Sequence, residues 1–83
     1  MKNIVNVRIF NRPFSLSTDE TEHYMKKIAA VVDERVRSYV SANLNTNVID
    51  AAILAALECV DERQKALATI DNLRLQIKDY VDD

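Results

Sequence analysis

Glycine is absent from the 83 residues, and proline, cysteine and histidine each occur once. Without glycine there is no P-loop, no dinucleotide fingerprint and no other glycine-rich cradle for phosphate. Cys59 alone excludes an intrachain disulfide, and Cys59 with His23 cannot supply the four ligands of a structural zinc. No apolar run approaches the roughly 20 residues of a membrane span. The opening Met1–Val7 alternates with polar residues instead of forming the apolar block of a secretory signal, so the expected location is the cytoplasm. A chain this short buries only about 60–65% of its unfolded surface, which leaves a monomer marginal. With disulfide and metal removed, self-association is the remaining staple.

Charged residues make up 29% and apolar residues 48% of the chain, a globular balance. The net charge of −2 is unevenly spread. Residues 1–16 carry Lys2, Arg8 and Arg12 and no acid, whereas residues 17–60 hold seven acids and four bases and residues 61–83 six and four. A basic tip on an acidic body is not the footprint of a nucleic-acid binder.

The pattern along the chain predicts a mostly helical α+β fold. Val5, Val7 and Ile9 alternate with Asn6, Arg8 and Phe10, the period of a half-buried strand. Asn11-Arg12 reads as a tight turn, since asparagine tolerates positive φ, and Phe14 and Leu16 continue a second strand, giving a hairpin over 3–17. Pro13 lacks a donor and belongs at the start of that strand or at an edge. Ser17 and Glu20 have the spacing of a capping box, starting a helix over 18–41. Its apolar set is Tyr24, Met25, Ile28, Val31, Val32, Val36, Tyr39 and Val40; Lys26, Lys27, Asp33, Glu34, Arg37 and Ser38 form a wet face. Three asparagines break the pattern at 42–47, and Thr46 or Asn47 can cap a second helix with Asp50 in its first turn.

From Val48 to Tyr80 nothing stops a helix, and about 33 residues would span about 50 Å. Its start, Ala51 to Leu57, is apolar nearly all round and reads as buried on several sides. Its second half keeps a stripe at Ala66, Ile70, Leu73, Ile77 and Tyr80, the four-three spacing of a coiled-coil seam. Extended backward, the seam meets Arg63: either the register shifts and Val60 and Leu67 take over the contact, or Arg63 is a polar seam residue that fixes register or partner. The predicted division is a head over residues 1–58 and a coiled-coil extension over 59–83. The stripe has no partner within the chain, so another copy must cover it. The expected oligomer interface is Ile53, Ala56, Leu57, Val60, Leu67, Ile70, Leu73, Ile77 and Tyr80.

Catalytic chemistry finds no footing. His23 lies beside Tyr24 with no nucleophile placed by a recognisable motif, and Cys59 reads as a small hydrophobe on a seam. Asp61-Glu62 and Asp82-Asp83 are sequence neighbours, which point about 100° apart on a helix and do not make an acid–base pair. The expectation is a protein that is not an enzyme and uses no metal or cofactor.

The ordered residues do resemble a known family. Val7-Arg8-Ile9-Phe10-Asn11-Arg12-Pro13-Phe14, then Ile28 to Val36 with its Val32-Asp33-Glu34-Arg35 stretch, then Asp50 to Glu58 entering a long helix, together resemble the ZapA family of bacterial cell-division proteins over residues 3–83. Asn11 stands where the family has a turn glycine, and the last helix is short, as in the shorter members. The resemblance implies a non-enzymatic protein that binds FtsZ, the polymer of the division ring at midcell, and cross-links its filaments. It also implies dimers through head and helices, with dimers pairing their coiled coils into tetramers; fewer heptads imply a dimer–tetramer equilibrium. Arg12 matches the family's basic turn residue. Some members carry charges around the interhelix loop and the start of the second helix, where this chain has Leu44, Ile49 and Leu54. The filament contact is therefore expected on basic head residues: Arg12 first, then Arg35 and Arg37. Two other readings remain at this level. One is a generic coiled-coil oligomeric adaptor. The other is a ribbon-helix-helix-like DNA binder, opposed by the acidic balance, the two strands and the length of the second helix.

Overall fold

The computed structural model describes the backbone of residues 2–43 and 45–81 and the side chains as far as Arg74, Leu44 excepted. The element order is β1 (Asn3–Ile9), β2 (Arg12–Thr18), α1 (Glu22–Ala42) and α2 (Val48–Val81). An N-terminal antiparallel hairpin followed by two helices is the α+β, mostly helical fold expected from the sequence pattern. The expected interface residues Ile77 and Tyr80, like Leu44 and Asp82-Asp83, lie outside the described side chains.

β1 and β2 pair in register from Asn3↔Thr18 to Ile9↔Arg12. The turn is therefore Phe10–Asn11, one residue earlier than Asn11-Arg12, and both residues have positive φ, 51° and 64°. Positive φ at both central positions is the hairpin-matched turn that follows strand twist. Phe10 ends the alternation because it is held from outside the hairpin. Its amide donates to Asp33 Oδ1 at 2.6 Å, and its ring packs on a second core cluster. With Ile9–Arg12 closing a two-residue turn, the hydrogen-bonded pairs alternate from there, so Arg8↔Pro13 is a non-bonded pair. The missing proline N–H thus costs the ladder nothing.

The first helix begins four residues later than its capping signal. Ser17 and Thr18 are paired with Ile4 and Asn3, which holds them extended, so the Ser17–Glu20 capping box does not form. Thr21 is the cap instead, accepting from Tyr24 N at 3.1 Å. α1 ends at Asn43, whose backbone is extended and whose Oδ1 accepts from Asn45 N. Asn47 caps α2, accepting from Asp50 N at 2.8 Å.

The core is two small clusters. Val5, Val7 and Ala29 are joined by Ile9, Leu16 and Met25. Val36, Ala51 and Ala55 are joined by Phe10, Tyr39 and Val40. The two alanines let α1 approach α2 closely, and Val36 fills the contact. The start of α2 is not buried on several sides: within one chain only its alanine face is covered, and Ile49, Ile53 and Leu57 stay exposed.

Candidate functional site

Three features surround the junction of hairpin and helices, each traceable to residue spacing. The first is the lock at the hairpin tip. Asp33 and Arg37 lie one turn apart on α1 and pair at 2.9 Å. Both were expected on a wet face, but together they grip the turn. Asp33 accepts from the Phe10 amide, while Arg37 reaches Asn11 Oδ1 at 3.4 Å and lies over the Phe10 ring, 5.1 Å from its centroid. A cation over an aromatic face is attracted by the ring quadrupole. The Phe10 amide, and after it the Arg37 guanidinium, hold the Asp33 carboxyl below its ordinary value.

The second is a clasp between the helices. Arg35 and Tyr39 are one turn apart on α1, and Glu58 and Glu62 are one turn apart on α2. The Arg35 guanidinium forks to Glu58 and, at 2.7 Å, to Glu62. The Tyr39 hydroxyl donates to the other Glu58 oxygen at 2.5 Å. The Glu62 hydrogen bond raises the Arg35 pKa, and the Glu58 hydrogen bond raises that of Tyr39. A planar fork between two carboxylates is a geometry arginine supports and lysine does not.

The third is exposed apolar surface. On α2, Ile49, Ile53, Leu57 and Val60 lie on one face and Ala51, Ala55, Glu58 and Glu62 on the opposite one, at 3.6 residues per turn. The first set is 71, 61, 66 and 54% exposed. Leu67, Ile70 and Leu73 are also exposed, as are Tyr24, Ile28, Val31 and Val32 on α1. An apolar hollow of about 290 Å³ lies between Ile9, Phe10, Phe14, Val32, Val36 and Ile49, with Arg12 at its rim. Contiguous apolar surface of this kind marks an interaction face.

The three sequence-predicted arginines therefore fare differently. Arg35 is committed to the helix clasp and Arg37 to the tip lock. Arg12, the first residue of β2, is exposed, and its side chain forms no hydrogen bond or ion pair among the described residues. The structure does not bring the three together as one patch. Sequence reading missed Tyr39, Glu58 and Glu62, although two i,i+4 pairs of complementary chemistry on consecutive helices were visible as a signal.

Among the described residues no group of acidic, histidine or cysteine side chains is placed to hold a metal ion, and no helix is long and apolar enough to cross a membrane. Comparison with known proteins supplies what geometry alone does not. The family model "Cell division protein ZapA" matches residues 5–82. The chain belongs to the ZapA family. The cell division protein ZapA of Bacillus licheniformis is 27% identical over 78 residues, covering 94% of this chain and 92% of that protein. That of Bacillus pumilus is 24% identical over the same length and coverage. A solved ZapA mutant dimer from Geobacillus stearothermophilus superposes with a TM-score of 0.78 at 26% identity, over 94% of this chain and 91% of that one. Family membership displaces the ribbon-helix-helix reading. The ZapA fold here completes its hairpin within one chain, and its second helix runs 34 residues.

Proposed function

We propose that this ZapA-family chain is a non-catalytic protein of the cytoplasm that binds FtsZ at the midcell division ring and cross-links its filaments, acting as a homodimer in equilibrium with a tetramer. The observation that carries the reading is the pairing of an unpartnered apolar rod with an unengaged basic tip. The exposed faces of α2, including Ile53, Leu57, Val60, Leu67, Ile70 and Leu73, call for a second copy. Assembly through that surface, which includes Ala56 and by sequence spacing would extend to Ile77 and Tyr80, puts at least two heads on one stiff helix. The solved relative is itself a dimer, which supports this arrangement.

Two heads on one rod turn the second filament contact into an intramolecular event. Apparent affinity then rises through effective concentration, without new chemistry. Arg12 is the contact residue this reading favours, because Arg35 and Arg37 already have partners within the chain. Basic groups on the head steer approach to an acidic filament surface.

The test is co-sedimentation with FtsZ polymerised by GTP, beside FtsZ alone and at two salt concentrations. The protein should enter the pellet, thicken the bundles and release as salt rises. Arg12→Glu should weaken pelleting while changing stability by no more than about 0.5 kcal/mol, as for an exposed site. Protein left in the supernatant with filaments plainly present would leave an oligomeric coiled-coil adaptor for another partner.

A further inference from the structure

Among the described residues the sheet has two strands, so β1 has a free edge. The pairing pattern fixes what that edge displays. With Ile9–Arg12, Val7–Phe14 and Val5–Leu16 as the bonded pairs, the amides and carbonyls of Ile4, Asn6 and Arg8 point away from β2. Phe10 extends the same series, and its amide meets Asp33 on α1. The free edge therefore looks toward α1. Between the two lies a groove of about 380 Å³, lined by Asn6, Arg8, Lys26, Ala30 and Arg37 and closed at one end by Asp33. Among the described residues nothing hydrogen-bonds the Asn6 or Arg8 main chain on this side.

We propose that this groove is a docking site for an extended acidic segment of a partner protein, which joins the sheet as a third strand beside β1 with α1 as its flank. An edge strand next to a helix is a recurring way to bind peptides. Main-chain bonds supply affinity, and the flanking side chains supply selectivity. Charge selects the occupant. Arg8, Lys26 and Arg37 line the groove with one acid, Asp33. Asp33 and Arg37 are paired with each other, which leaves Arg8 and Lys26 as the excess positive charge facing an occupant. Lys26 pairs with Glu22 on the solvent side at 2.9 Å, an exposed pair that exchanges readily for another carboxylate. Ala30 is small enough to leave the floor open. A second copy of β1 is disfavoured, because the strand and its flanks carry Lys2, Arg8 and Arg12 and no acid.

The groove also stays open in an assembled rod. At 3.6 residues per turn, Lys26, Ala30, Asp33 and Arg37 lie on the side of α1 roughly opposite Tyr24, Ile28 and Val31. The apolar face that a second copy would cover is thus a different face from the groove. The inference goes beyond filament cross-linking and does not depend on which protein supplies the segment.

The test uses the full chain and a fluorescent peptide of about eight residues alternating aspartate and valine, long enough for one strand, with a lysine-for-aspartate peptide as control. Fluorescence anisotropy reads binding and ¹⁵N amide shifts locate it. The acidic peptide should bind and shift Ile4, Asn6, Arg8 and Ala30, and the lysine peptide should not. Asn6→Pro removes one outward amide, together with the side chain that accepts from Ser15 Oγ, while keeping the main-chain ladder bonds and every charge, and should weaken binding by about tenfold. Ala30→Leu fills the groove from an exposed helix position and should do at least as much, which keeps the test decisive if the proline variant folds poorly. Binding that is unchanged in both variants, absent altogether, or equal for the lysine peptide overturns the proposal. So does a change in sedimenting mass on Ala30→Leu, which would assign the groove to a second copy.

Discussion

Replacing Leu57 by aspartate tests the apolar face of α2 at its centre. Ile49, Ile53, Leu57 and Val60 leave 71, 61, 66 and 54% of their surface in water within one chain. Full burial of such a side chain is worth about 2 kcal/mol, so this face holds back roughly 5 kcal/mol per copy. A two-fold interface counts each residue twice, giving roughly 10 kcal/mol against an association cost of about 4–15 kcal/mol. The margin is narrow, and Leu57 matters. Its share is about 1.5 kcal/mol per copy, or about 3 kcal/mol per dimer. Two carboxylates brought into the same interface add a desolvation cost. The dimer should therefore weaken by more than about 100-fold.

Sedimentation equilibrium over a wide concentration range reads that change. Leu57 is mostly exposed and belongs to neither core cluster, so helix content by circular dichroism should persist where the variant is monomeric. Because assembly stabilises the fold by mass action, the melting temperature of the parent should rise with concentration and that of the variant should not. Leu57→Ala should fall between them. A parent-like mass for Leu57→Asp at every concentration would refute the assignment of this face to self-association.

Further outcomes follow from the core, the turn and the tip lock. Val36 is 3% exposed at the α1–α2 contact, so Val36→Ala should cost about 2 kcal/mol by chemical denaturation, from lost transfer energy plus a residual cavity. Asn11→Val forces a β-branched residue to the turn's φ of 64° and should cost about 1–2 kcal/mol, whereas Asn11→Gly should be near neutral in the same assay. Asp33 has its folded pKa lowered from an ordinary 3.8. The stability it contributes is thus present above that value and lost as pH falls through the folded one. Melting curves from pH 6 down to about pH 2 should be less steep in pH for Asp33→Asn, and an unchanged slope would show that the lock does not carry this dependence.

The sequence made the elements legible wherever local signals acted alone. Strand alternation placed Val5 and Val7 inside, the asparagines ended α1 and capped α2, and the stripe of α2 was left uncovered by its own chain, as Ile70 and Leu73 are. It failed where a distant residue decided. Phe10 looked like an outward strand position because nothing local reveals that Asp33 and Arg37, more than 20 residues on, will hold it in a left-handed turn. Ser17 looked like a helix cap because its pairing with Ile4 across the hairpin is invisible to a four-residue window. Arg35 and Arg37 were expected at the filament contact because charge is readable from sequence, whereas their engagement with residues on other elements is not. Arg12 is the one of the three predicted contacts whose exposed side chain is unengaged among the described residues.

The small core links these observations to assembly. Among the described residues Val5, Val7, Ala29, Val36, Ala51 and Ala55 form the buried apolar core of one chain, and none is larger than valine. Such a core cannot by itself offset the ordering of more than 70 residues. On the proposed assembly, the remaining apolar side chains of α1 and α2 would become stabilising when another copy covers them, and folding and oligomerisation would be one equilibrium in this chain. Substitutions on the apolar faces must then move mass and melting temperature together. Substitutions at Arg12 should move neither, which makes partner binding separable from assembly by mutation.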